Sequence, residues 1–110
     1  MKLPNATRAV VEIAKLRDYS LNLRHPEGKH KARVFSAALG LTERDANWLR
    51  EELLRVAREL DCEPGRHTEH GQRYLMDFTL AFRGKTARLR SAWIVRKGEE
   101  FPRLTTCYVL

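Results

Sequence analysis

The clearest pattern in the chain lies between Thr42 and Leu60. Ala46, Leu49, Leu53, Val56, Ala57 and Leu60 recur at steps of three and four, so they fall on one stripe of an α-helix. Arg44, Arg50, Glu51, Arg55, Arg58 and Glu59 occupy the other side, which reads as a solvated face. Thr42 starts this helix, and Asp45 three residues on approximates a capping box, with Asp in place of the usual Glu or Gln. A second helix is predicted over residues 29–39, with Ala32, Phe35, Ala38 and Leu39 at helical spacing and Gly40 as its C-terminal cap. A short helix is expected over residues 14–21. Val10, Val11 and Ile13 fit either a short strand or the entry to that helix. Pro26 and Gly28 punctuate a loop between the first two helices.

After Pro64 and Gly65 the period changes to two. Tyr74, Met76, Phe78, Leu80 and Phe82 alternate with Arg73, Leu75, Asp77, Thr79 and Ala81, the pattern of a half-buried strand. Arg83-Gly84-Lys85 is a hairpin turn. The next strand covers about residues 86–96, with Leu89, Ser91, Trp93 and Val95 on one side and Arg88, Arg90, Ala92, Ile94 and Arg96 on the other. Lys97-Gly98-Glu99-Glu100 turns the chain again. Residues 103–109 form the last strand, with Pro102 at its entrance. A weaker strand is expected over residues 66–70. Sequential hairpins make a meander, and the apolar helix faces must then cover one side of it. The expected fold is α+β: N-terminal helices packed on one face of a C-terminal antiparallel β-meander of about four strands.

The chain has 110 residues, of which 43% are hydrophobic and 32% charged, a globular composition of single-domain size. No run is apolar enough to cross a membrane as a helix. The segment Met1-Lys2-Leu3-Pro4-Asn5 lacks a signal-peptide core, so the expected location is the cytoplasm. Cys62 and Cys107 have no metal-type spacing and read as free thiols, Cys107 as a small core residue. The net charge of +7 favours polyanionic partners. It is spread along the chain, which points to a charged surface on a folded domain.

Three segments carry candidate chemistry. Lys29, His30, Lys31 and Arg33 crowd the start of the second helix, where free N–H groups favour an anion. Basic residues there oppose the helix dipole, a cost that a bound anion would offset. Taken alone, the cluster also fits an exposed basic turn. Arg88 and Arg90 alternate on one strand, with Ser91 between apolar neighbours; they suit a phosphate grip, or a charged sheet face with a core hydroxyl. Thr106 and Tyr108 share a face of the last strand and both can donate to a phosphate oxygen, although Thr and Tyr are ordinary strand residues. Asp77 is placed to pair with an arginine on its own face. His25, His67 and His70 have no acidic or cysteine partner at ligand spacing, so no metal site and no cofactor are expected.

Longer stretches resemble a known group. They are Lys2-Leu3-Pro4-Asn5-Ala6, Leu16-Arg17-Asp18-Tyr19 with Asn22, His25-Pro26, Gly28, His30 to Phe35 and Leu39-Gly40, then Arg88 to Val95 and Pro102 to Tyr108. Together they resemble a small bacterial domain family of unknown function that is similar to the barnase–EndoU–colicin–RelE ribonucleases. The resemblance implies N-terminal helices on a four-stranded antiparallel sheet, and a toxin that cleaves RNA without a metal. It implies His30, Lys31, Arg90, Thr106 and Tyr108 as the catalytic set, with Lys29, Arg33, Arg88 and Ser91 binding phosphate or RNA. His30 would take the proton of an RNA 2′-hydroxyl, and Lys31 and Arg90 would stabilise phosphoryl charge. Thr106 or Tyr108 would orient the phosphate, or Tyr108 assist the leaving oxygen. Partners implied are RNA and a small acidic antitoxin. Relatives often end in Thr-x-Tyr-Pro, whereas Val109 follows Tyr108 here. Two other roles use the same surface: a non-catalytic module that binds RNA or an antitoxin, and an immunity partner. The catalytic reading makes a geometric demand. Arg90 and Thr106 must share a sheet face on adjacent, central strands, yet alternation fixes each strand only relative to itself.

Overall fold

The structure, a computed structural model, describes residues 1–110. Helix α1 spans Ile13–Lys15 and widens into a π-helical turn over Leu16–Ser20, closed by the Leu21 N–H on the Leu16 carbonyl at 2.8 Å. In an ideal α-helix, residues five apart point about 140° away from each other. The wider turn lets both Leu16 and Leu21 enter the core, at 0% and 2% exposure. Helix α2 runs from Lys29 to Leu39 and buries Ala32, Phe35 and Leu39. Helix α3 spans Ala46–Glu59 after a 3₁₀ turn at Glu43–Asp45. The Thr42 N–H donates to Asp45 Oδ2 at 2.9 Å, so Asp performs the capping function. The predicted apolar stripe is buried except Leu60, which lies beyond the helix end and is exposed.

Four antiparallel strands follow: β1 (Glu63–Thr68), β2 (Gly71–Phe82), β3 (Lys85–Arg96) and β4 (Pro102–Val109), in the order β1-β2-β3-β4. The fold is α+β as expected. Strand β1 starts earlier than the expected 66–70 because Glu63 and Pro64 pair with Leu75 and Tyr74. Tyr74, Met76, Phe78, Leu80 and Phe82 face the helices, as do Leu89, Ser91 and Trp93. The core joins 22 buried residues of helices and sheet; each large side chain fully buried contributes about 1.5–3 kcal/mol.

Strand β4 positions the site. Arg90 pairs with Tyr108, Ser91 with Cys107 and Ala92 with Thr106, but Trp93 pairs with Leu104. Thr105 is therefore an extra residue, a β-bulge, anchored by its hydroxyl on the Ala92 carbonyl at 3.0 Å. Leu104 and Cys107 consequently both face the core, and Thr106 and Tyr108 join Arg90 on the other side. Strand β4 is an edge strand, not central. Its first residues are flanked by Val10, whose N–H donates to Pro102 and whose carbonyl accepts from Leu104, both at 2.9 Å. Val10 thus bridges like a strand, and Ile13 begins a helix.

Candidate functional site

The loop before α2 is tightly held. Gly28 is buried, and a Cβ placed on it would lie 2.2 Å from the Tyr19 carbonyl oxygen. That contact seats the His25–Gly28 loop on the π turn. His25 Nδ1 accepts the N–H groups of Glu27 at 3.1 Å and Gly28 at 2.9 Å. The ring meets Tyr19 edge to face, centroids 4.8 Å apart. The first turn of α2 leaves the N–H groups of His30 and Lys31 without a backbone acceptor, while those of Lys29 and Ala32 bond His25 and Gly28 carbonyls. No acidic residue occurs in α2, so the positive end of its dipole is reinforced.

Lys31 is the centre of the arrangement. Its ammonium lies 5.0 Å from the Tyr19 ring centroid and 6.0 Å from that of Tyr108, within cation–π range. It has no ion-pair partner. A cleft of about 500 Å³ between the π turn, α2 and the bulged part of β4 is lined by Tyr19, His25, Lys31 and Thr106, among others. A second depression of about 300 Å³ is lined by His30, Lys31, Val34, Tyr108 and Val109. Lys31 borders both. Thr106 Oγ1 is buried with no hydrogen-bond partner in the protein, unusual for a buried hydroxyl.

Of the five expected catalytic residues, Lys31 borders both depressions, Thr106 lines the first, and His30 and Tyr108 line the second. Arg90 adjoins Tyr108 by strand pairing, but its fork is already filled. Nε donates to Asp77 Oδ1 at 2.8 Å and Nη2 to Oδ2 at 2.9 Å. This is the arginine partner expected for Asp77. The same fork holds the Asp77 carboxyl below its ordinary range, and it raises the guanidinium, with Tyr108 adding to the effect. A free bidentate phosphate grip at Arg90 is therefore not present. Arg88 donates to Thr79 Oγ1 at 3.3 Å and lines a different pocket, beside Asp77 and Glu63. Ser91 is corrected: it is fully buried on the helix side, donating to the Met76 carbonyl at 3.0 Å and accepting from Trp93 Nε1 at 2.9 Å. It cannot reach a phosphate. Lys29 and Arg33, one helical turn apart, line neither part of the cleft.

Burial pushes the Cys107 thiol up to about 12, with the Lys31 charge opposing, so it stays protonated and packs as a core residue. Cys62 is also buried and its thiol is raised by desolvation. No cluster of three or more His, Cys, Asp or Glu side chains is placed to hold a metal ion, and no helix is long and apolar enough to cross a membrane. Tyr19 and His25, outside the expected set, also line the cleft. Their only sequence signal was membership of the stretch Leu16 to Gly28 that carried the resemblance.

The fold and cleft define an α+β domain with an unpaired cation between two tyrosines at a sheet edge. The chain belongs to the family DUF6883, a domain of unknown function, whose model matches residues 2–110. It is similar in structure to a chain of a contact-dependent growth inhibition toxin–immunity protein complex from Klebsiella pneumoniae 342. The TM-score is 0.70 at 15% identity, over 94% of this chain and 95% of that one, a likeness of fold. No curated protein matches the chain.

Proposed function

We propose that the protein is a toxin-type endoribonuclease whose site is the cleft at the β4 edge. The observation that carries this reading is Lys31, an unpaired ammonium between Tyr19 and Tyr108 with His30 on one side and Thr106 on the other. An ammonium without an ion-pair partner, in a cleft that Glu12 and Asp18 also line, favours a phosphoryl group that gains negative charge. His30 takes the proton from the RNA 2′-hydroxyl, and the 2′-oxygen bonds to phosphorus as the P–O5′ bond breaks. The products are a 2′,3′-cyclic phosphate and a 5′-hydroxyl, the latter protonated with help from Tyr108. Arg90, engaged by Asp77, lies beside Tyr108 in the strand register and helps position it. Lys29 and Arg33 act at longer range, steering RNA toward α2. The structural neighbour comes from a complex of a contact-dependent growth inhibition toxin with its immunity protein, which supports a toxin or an immunity role.

A second reading is a binding or immunity module, for RNA or for an acidic protein partner. The prefilled Arg90 fork favours it, because a phosphate-gripping arginine is better left free. Controlled expression separates the two. The ribonuclease arrests growth and produces RNA fragments ending in cyclic phosphate, and His30→Ala lowers cleavage by about 10²-fold or more. Growth without arrest, intact RNA, or full activity in His30→Ala refutes it.

A further inference from the structure

His25 carries an arrangement that the proposed reaction has not used. A neutral imidazole has one lone pair in the ring plane, on whichever nitrogen lacks a proton. In His25 that lone pair is on Nδ1, because two backbone N–H groups donate to it, from Glu27 and Gly28. A proton on Nδ1 would face both donors. The proton of the neutral ring is therefore on Nε2, and the Nε2 side is the one not engaged by the loop. The ring cannot turn freely, since its edge-to-face contact with Tyr19 and the seating of Gly28 on the Tyr19 carbonyl fix loop and π turn together. His25 lines the same cleft as Lys31 and Thr106.

We propose that His25 is a second site residue, a fixed Nε2–H donor to a phosphate oxygen held beside Lys31 in this cleft. With its lone pair occupied it does not act as the general base, which leaves proton abstraction to His30. The two histidines thus have opposite roles set by their surroundings: His30 lies exposed on the helix, and His25 is clamped by backbone amides. The catalytic part of this assignment rests on the ribonuclease reading; the anion-binding part does not.

The substitution that isolates the donor is His25→Asn. An Asn side chain accepts the backbone N–H two residues on, so its Oδ1 can take the Glu27 N–H in place of Nδ1 and keep the loop, but it has nothing at the Nε2 position. The full chain, labelled with ¹⁵N at histidine, is titrated with a 2′-O-methyl RNA oligonucleotide, which binds without being cut. The His25 Nε2 resonance is expected in its protonated, neutral position, and it shifts on binding. His25→Asn should weaken that binding about tenfold while its Tm stays near wild type. Cleavage of unmodified RNA should fall about 10²-fold in kcat. Nε2 found unprotonated in the neutral ring, or oligonucleotide affinity unaltered in His25→Asn, overturns the proposal. Cleavage by wild type with His25→Asn fully active sinks the His25 role and spares the ribonuclease. An oligonucleotide held through His25 but never cut keeps the anion site and sinks the ribonuclease.

Discussion

Gly28→Ala tests how the cleft is held together, and the outcome turns on two opposed effects. Gly28 has φ −66° and ψ −23°, ordinary right-handed helical values. On conformational grounds alone, alanine there should stabilise the protein by about 0.4–1 kcal/mol by restricting the unfolded chain. The new Cβ, however, would lie 2.2 Å from the Tyr19 oxygen, 2.8 Å from its carbonyl carbon and 3.1 Å from its Cα. All three are backbone atoms that cannot swing aside as a side chain would. Forcing a methyl group into such a contact costs about 1–3 kcal/mol, so at the middle of both ranges the clash wins by about 1.3 kcal/mol. For a domain of this size that lowers Tm by about 5–10 °C. The loop must also lift from the π turn, which moves His25 away from Tyr19 and Lys31, so the cleft should be damaged beyond the loss of stability. Thermal unfolding followed by circular dichroism measures the first effect, and the His25 ring resonances report the second. Gly40→Ala is the contrast: Gly40 has φ +73° with nothing within 4 Å of an added Cβ, so its cost is conformational, about 1 kcal/mol, and Gly40→Asn should recover part of it. A Tm of Gly28→Ala equal to or above wild type would refute the reasoning.

The Asp77–Arg90 pair should make stability depend on pH in one direction. Because Arg90 lowers the folded pKa of Asp77, the pair stabilises the protein above the ordinary carboxylate range and that contribution fades as pH falls through the lowered folded value. Urea midpoints of wild type and Asp77→Asn should differ at neutral pH and converge in acid; a gap constant with pH would mean the carboxylate charge is not what matters. Ser91→Ala should cost about 1–3 kcal/mol, since it strands the Trp93 indole N–H in the core. Cleavage per folded molecule should be unchanged, and selective loss of activity would restore Ser91 to the site.

Much of the fold was legible because it rests on local rules. The stripe from Ala46 to Ala57, the alternation from Tyr74 to Phe82 and the Thr42–Asp45 cap each depend on residues a few positions apart. The π turn did not show, because it is a compromise between Leu16 and Leu21 that only the assembled core imposes. Strand β1 was placed late because its residues are exposed and it is defined by pairing with Leu75 and Tyr74, not by its own pattern. At the site, the resemblance points to His30, Lys31, Thr106 and Tyr108, and the structure spreads them over two depressions that share Lys31. Arg90 was given a free fork because sequence does not say whether Asp77 reaches it in register. Ser91 was misassigned for the same kind of reason: alternation put it among core residues, but the resemblance placed it in a matching stretch. The sequence offers His25 only as a metal-ligand candidate without partners, because its significance lies in which nitrogen is occupied, and that depends on the fold of its own loop.

The extra residue at Thr105 also bears on how chains of this fold are compared. From Leu104 onward, simple alternation would assign Thr106 and Tyr108 to the interior and Cys107 to the outside; the bulge reverses this within one residue. An alignment that runs without a gap through a relative lacking the bulge would match this chain's interior positions to the other's cleft positions. Hydrophobic and polar residues would then seem to exchange places in the last strand. At 15% identity, residue equivalence in β4 is better taken from pairing with β3 than from the string of letters.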